Sequence, residues 1–174
     1  GGTSPQMSPA RSCAGISPMS GRGPGLSILR PFWTADTLKV VGYAMGSMRT
    51  SLVCQAIDMA VRRCPIDRGV TIFHSDRGSQ YTSQRFLDHL RSYGIRPSVG
   101  RAGVCWDNAW AESFNATLKN ERVHRMVYPS KDKAIKDIAS WIELTYNHVR
   151  LHSALGYRAP NEVEREFLDL TKTA

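Results

Sequence analysis

No aspartate or glutamate occurs before Asp36, although the chain carries 15 acidic residues in all. The first 35 positions therefore offer no carboxylate to bind a metal ion or to act as a general base. Gly1 to Pro31 hold six Gly, five Pro and six Ser, so more than half of the stretch consists of breakers and loop formers. Such a segment buries little apolar surface, and residues 1–37 are expected to be disordered, with ordered sequence beginning near Lys39. The four cysteines, Cys13, Cys54, Cys64 and Cys105, form no Cys-x-x-Cys pair and sit far apart, which argues for reduced, unpaired thiols rather than a disulfide frame. No apolar run approaches the ~20 residues that cross a bilayer, and no basic-then-apolar leader is seen. The expected setting is the cytosol, with no membrane partner. No internal repeat is evident.

What is present is basic and globular. The formal net charge is +8 in 174 residues, with a pI near 9.6, which favours a polyanionic partner, most commonly nucleic acid. Val40 to Met45 reads as a buried strand, and Thr50 or Ser51 as the cap of a helix burying Leu52, Val53, Ala56, Ile57 and Ala60. Val70 to Phe73 reads as a second strand leading to His74-Ser75-Asp76. Thr82 or Ser83 caps a helix that Gly94 stops, and Ile95 to Val99 is a short strand. Asp107 or Asn108 caps a helix running to about Arg125. A last amphipathic helix starts after Ser130, with Ala134, Ile135, Ile138, Trp141, Ile142 and Thr145 on its apolar stripe, and Trp141 and Tyr146 as core. The order is that of an α/β layer architecture with a helical tail.

Asp76 stands where a strand gives way to a Gly78 turn, the edge at which open α/β sheets bind ligands. Taken singly, an Asp before a glycine turn is a turn former. On the helix after Asn108, Trp110, Phe114, Thr117 and Leu118 fall on one side, while Glu112, Asn115 and Lys119 fall on the other. Taken singly, that polar side is solvated surface. His148 and His152 are four apart, a spacing that can hold a metal on a helix, but no third ligand accompanies them, which favours a structural or DNA-contacting role.

Together these segments resemble the core of insertion-sequence transposases. The resemblance rests on four stretches in order: His74-Ser75-Asp76-Arg77-Gly78-Ser79-Gln80-Tyr81; Asp107-Asn108-Ala109-Trp110-Ala111-Glu112-Ser113-Phe114; Lys119-Asn120-Glu121; and Tyr146-Asn147-His148-Val149-Arg150-Leu151-His152-Ser153-Ala154-Leu155-Gly156-Tyr157 with Pro160. It runs from about Val40 to Glu162. It implies membership of the Asp-Asp-Glu superfamily that includes retroviral integrases, and an RNase H-like α/β core over residues 38–128 with a helical extension over 129–174. It further implies three carboxylates holding two Mg²⁺ (or Mn²⁺) ions for phosphoryl transfer on DNA. Asp76 matches the second Asp and Glu112 the Glu, as both catalytic residues and metal ligands. The resemblance makes Lys119 a contact to the DNA end, with Asn115, Arg122 and Arg77 as further DNA-binding residues and His74, Asn108 and Ser113 lining the site. The implied partners are transposon ends and target DNA, met as a homo-oligomer or in assemblies with intact transposase copies near the bacterial nucleoid.

The chain departs from the family in its opening segment. The first Asp, expected on a strand reading like Asp-Ile-Thr-Tyr, and a following Ala-Thr-Val-Leu-Asp-like strand are both missing, so the sheet is expected to lack its first strands and the two-metal site a ligand. The genetic code offers a reason. Read from the third base of each codon, Phe32-Trp33-Thr34 must give Leu-Asp. Leu29 to Ala35 can give Ala-Thr-Val-Leu-Asp-Cys, and Gly15-Ile16-Ser17-Pro18-Met19-Ser20 can give Asp-Ile-Thr-Tyr-Val. Residues up to about Asp36 are thus expected to be translated out of frame, leaving a fragment unable to join strands. Two other functions fit the same residues: a non-catalytic DNA-binding remnant, and a metal-dependent nuclease of the same fold.

Overall fold

The structure is a computed structural model and describes residues 12–13, 28–34, 36–46, 50–64, 66–75, 79, 81–99 and 109–172. Two sheets are present among them. In the first, the short strand β1 (Ser12–Cys13) pairs in parallel with β4 (Ile72–Ser75), which pairs in parallel with β5 (Arg96–Val99). In the second, β2 (Ile28–Trp33) runs antiparallel to β3 (Val40–Gly46), with an irregularity in register between Phe32 and Trp33.

These pairings correct the expectation that ordered chain begins near Lys39 and that the first strands are absent. Ile28, Leu29, Phe32 and Trp33 are strand-forming residue types. They follow a Gly/Pro/Ser-rich stretch whose average composition concealed them, and the free edge of β3 supplies the backbone partners.

Between the strands lie α1 (Thr50–Arg63) and α2 (Gln84–Ser92). Gly42 explains how closely α1 lies on β3: a Cβ there would come within 2.2 Å of the Ala56 carbonyl oxygen. Ser83 caps α2 by accepting from the Phe86 N–H, and Gly94 ends it at φ +71. Val70, expected in a strand, is exposed. Gly69 adopts φ +78, and the Asp67 carbonyl accepts from both the Val70 and the Thr71 N–H, so a turn occupies these positions and the strand opens at Ile72.

The C-terminal half is helical: α3 (Ala109–Glu121), a 3₁₀ turn (Val123–Arg125), α4 (Lys131–Ser140), a π-helical stretch (Trp141–Tyr146), a 3₁₀ turn (Ser153–Leu155) and α5 (Pro160–Lys172). Ser130 caps α4 through the Lys133 N–H. The α3 helix stops at Glu121 rather than near Arg125, the chain tightening into the 3₁₀ turn. Trp141 and Tyr146 are buried as expected, whereas Thr145, also expected on the apolar stripe, is exposed. The stretch winds with i→i+5 bonds, Asn147 N–H to Ile142 O among them, so each turn takes an extra residue and the stripe slips by one.

Two cores result. Val41, Ala44, Leu52, Val53, Ile57 and Ile95 surround Phe73, Tyr81 and Phe86, whose rings lie 5.3–6.1 Å apart. Val40 joins Phe114, Leu118, Val123, Ile138, Trp141, Ile142 and Tyr146 in the second. One buried amide fastens this second core to the sheet. Asn147 Oδ1 accepts from the Val40 N–H at 2.9 Å and Asn147 Nδ2 donates to the Val40 carbonyl at 2.9 Å, so a side chain takes the place of a neighbouring strand. The Asn147 carbonyl in turn accepts from the Asn161 N–H in the first turn of α5. No helix among the described residues is long and apolar enough to cross a membrane.

Candidate active site

β4 and α3 frame the candidate site. β4 ends at Ser75, which is buried, one residue before Asp76. Asp76, Arg77 and Asn108 lie outside the described residues, as do Cys13's and Trp110's side chains and Cys105. His74 is half-buried on β4, its Nδ1 lying 3.2 Å from Ser98 Oγ on β5. The ring is therefore tied across the sheet to β5.

On α3, Glu112 occupies the first turn and is exposed, with no ion-pair partner among the described residues. Lys119, seven residues on and so nearly in line with it along the helix, is half-buried. Asn115 departs from the expected polar side: it is 6% exposed, beside Phe114 and Leu118. Its position lies between the apolar strip and the Glu112–Lys119 strip of the helix. An amide in that place is poorly placed to meet DNA.

Arg122 is committed elsewhere. Its Nε donates to Asp137 Oδ2 at 2.7 Å and its Nη2 donates to Oδ1, while Tyr128 OH donates to the same Oδ2 at 2.7 Å. Arg122 and Tyr128 hold the Asp137 carboxyl below its ordinary range, and burial with that carboxylate pushes the Tyr128 phenol up. The cluster pins α4 to the end of α3.

Ser113 is exposed and lines a cavity of about 240 Å³ on the other shoulder of α3, with Leu38, Thr117, Arg150 and His152 among its walls. His148 and His152 do not share a helix: His148 lies in the turn after the π-helical stretch, 3.2 Å from the Asn161 amide, and His152 is bridged to Arg158. His152 stacks edge-on against Tyr146 with ring centroids 5.0 Å apart, and burial followed by the Arg150 charge depresses its pKa. Arg150 pairs with Glu121 on α3. The motif from Tyr146 to His152 thus braces α3 from behind.

Sequence reasoning missed Asn147 as a structural hub and α5 as a helix. The second had a legible signal. Pro160 opens α5, and Glu162 Oε2 accepts from the Ala159 N–H at 2.8 Å, the reciprocal half of a capping box. Among the described residues no group of three His, Cys, Asp or Glu side chains could hold a metal ion. The donors the sequence nominates are carboxylates, hard oxygen ligands of the kind Mg²⁺ and Mn²⁺ take, and Glu112 is free to serve as one.

The sequence matches the Integrase core domain family over residues 93–160, and a second family of that description over residues 35–105. It is 38% identical over 128 residues to the transposase for insertion sequence element IS904 of Lactococcus lactis, which spans 73% of this chain and 50% of that protein. It is 34% identical over 144 residues to transposase InsF for insertion sequence IS3A of Escherichia coli, 82% of this chain and 49% of that one. The chain thus spans about half the length of the curated relatives it matches. Among solved structures, the catalytic core domain of BIV integrase superposes with a TM-score of 0.65 at 15% identity, covering 95% of this chain and 99% of that one. The HTLV-2 integrase catalytic core domain in complex with magnesium gives 0.62 at 13%, covering 92% and 99%. These likenesses show the fold, an RNase H-like integrase core. With half of an insertion-sequence transposase aligned to it and the integrase core spread over residues 35–160, this chain belongs to the insertion-sequence transposases of the retroviral-integrase-like superfamily.

Proposed function

We propose that the chain is the catalytic-core portion of a transposase that moves DNA by phosphoryl transfer, and that as written it does not join strands. The observation that carries the reading is the presentation of Glu112, exposed and unpaired in the first turn of α3, in an integrase core whose central strand β4 closes one residue before Asp76. Asp76 and Glu112 would hold divalent metal. Bound there, Mg²⁺ or Mn²⁺ would supply Lewis-acid stabilisation of the attacking and leaving oxygens of an in-line displacement. The protein's own part is positional: α3 carries Glu112 and Lys119 in one row, so the lysine ammonium meets a DNA phosphate about 10 Å along the helix from the carboxylate. Ser113 follows Glu112 directly on α3.

The defect is the missing first aspartate. β1 pairs with β4 at an offset of 61 positions, Ser12 with Phe73 and Cys13 with His74. The shifted reading begins its Asp-Ile-Thr-Tyr-Val at position 15, two residues after β1 in the sequence. The partners are DNA ends and target DNA, in an assembly of several copies, in the bacterial cytosol.

The test compares two purified chains in a Mg²⁺-dependent strand-joining assay: the chain as written, and one encoded after a single-base shift that restores the alternative frame through position 35. The chain as written should give no product and the repaired chain should give joined strands. Joining by the unrepaired chain would remove the proposed defect. Full activity of the repaired chain with Glu112→Gln would remove the assignment of Glu112.

A further inference from the structure

The chain's positive charge is unevenly spread. Between Lys119 and Lys136 there are six Lys or Arg against two acidic residues, so these 18 positions supply +4 of the total of +8. Their arrangement is set by the pinned junction of α3 and α4. Arg122 lies three residues beyond Lys119, just past the end of α3 as the cap of the 3₁₀ turn, and its guanidinium grips Asp137 on α4. On α4, Lys133 is four residues and Lys136 one residue before Asp137, and Lys133 and Lys136 are neighbours at i, i+3. Both are exposed. Among the described residues no carboxylate pairs with Lys119, Lys133 or Lys136: Asp137 is taken by Arg122 and Tyr128, Glu121 by Arg150, and Asp132 in the first turn of α4 makes no ion pair. Lys131 sits on the same helix with the same charge, but about a third of a turn away from Asp137, on a different flank.

We infer that Lys133 and Lys136 continue the Glu112–Lys119 row onto α4 as a track for the backbone phosphates of duplex DNA. The inference rests on the proposed action on DNA and extends the binding surface beyond the helix that carries Glu112. Three unpaired ammonium groups arranged around a fixed ion pair suit a polyanion with regularly spaced charges. They have no complement in a neutral or cationic partner. The Arg122–Asp137–Tyr128 cluster spends its own charge in tying α4, with its two lysines, to the segment that follows α3, so Arg122 acts here as a positioning residue.

The experiment measures binding of a mixed-sequence 20-base-pair duplex by fluorescence anisotropy across a salt series. Each phosphate contact contributes about −0.9 to the slope of log K against log salt. The double variant Lys133→Gln/Lys136→Gln should therefore lower the slope by about 1.8, equally for unrelated duplex sequences, while Lys131→Gln leaves it within error of the parent chain. Both are surface changes, and unchanged far-UV circular dichroism confirms the fold. If the parent chain binds and the double variant keeps its slope, the track is refuted while the proposed function stands. It is refuted too if Lys131→Gln costs as much per charge, which would mean a diffuse positive potential. If the parent chain fails to bind duplex at low salt, the proposed action on DNA falls and the track with it.

Discussion

Replacing Asn147 with alanine removes the one side chain that completes β3 at Val40. Asn147 is 1% exposed and Val40 fully buried, so neither the Val40 N–H nor its carbonyl gains water when the amide is lost. Each orphaned buried group costs about 1–3 kcal/mol, and the vacated volume adds to that, which places the loss near 4 kcal/mol. Native domains are stable by only about 5–15 kcal/mol, so the variant should fall close to its unfolding threshold. With a urea m-value of about 2 kcal/mol/M, the midpoint should drop by about 2 M at unchanged slope, followed by circular dichroism at 222 nm. Asn147→Asp sharpens the test. A carboxylate keeps the acceptor for the Val40 N–H but turns an oxygen toward the Val40 carbonyl, so the variant should regain stability as the solution is acidified and the carboxyl can donate. A loss below 1 kcal/mol in Asn147→Ala, or an Asn147→Asp chain whose stability ignores pH, would refute the role assigned to the two hydrogen bonds.

Gly42→Ala should destabilise by about 2–3 kcal/mol in the same urea titration, because its Cβ meets the Ala56 carbonyl at 2.2 Å and α1 can yield only by moving as a helix. Asp137 has a folded-state pKa below its unfolded value, so its stabilisation is present above the unfolded value, near 4, and is lost as pH falls through the lower, folded one. Asp137→Asn should lower thermal stability at pH 7 and remove that component of the acid-side decline, read from melting temperatures between pH 2 and 6.

Much of the scaffold was readable because local chemistry and periodicity agreed. Ser83 and Ser130 cap the helices they were expected to cap, Gly94 stops α2, and Val40 to Met45 forms a strand. The errors arose where a tertiary contact decided the outcome. Asn115 is a polar letter on a helix whose apolar side packs well, and burial spreads around α3 further than the apolar letters mark. Tyr146 is core as expected, but Thr145 falls off the stripe because a π turn shifts its phase, which a fixed helical period cannot foresee. The strand Ile28–Trp33 was hidden by composition averaged over a longer stretch. Of the site, Glu112 and Lys119 stand in a row as their spacing implied, whereas the commitment of Arg122 to Asp137 depended on where α4 docks.

The Val40–Asn147 pair joins residues 107 positions apart in the chain. At a synthesis rate of about 5–20 residues per second, the ribosome needs on the order of 5–20 s to deliver the amide after Val40 has left the peptidyl-transferase centre. During that interval β3 emerges with an unsatisfied polar edge beside apolar neighbours, open to any other strand that can hydrogen-bond to it. Nascent chains halted short of Asn147 are therefore the ones most exposed to misassembly, and release of the completed tail is the event that ends the hazard.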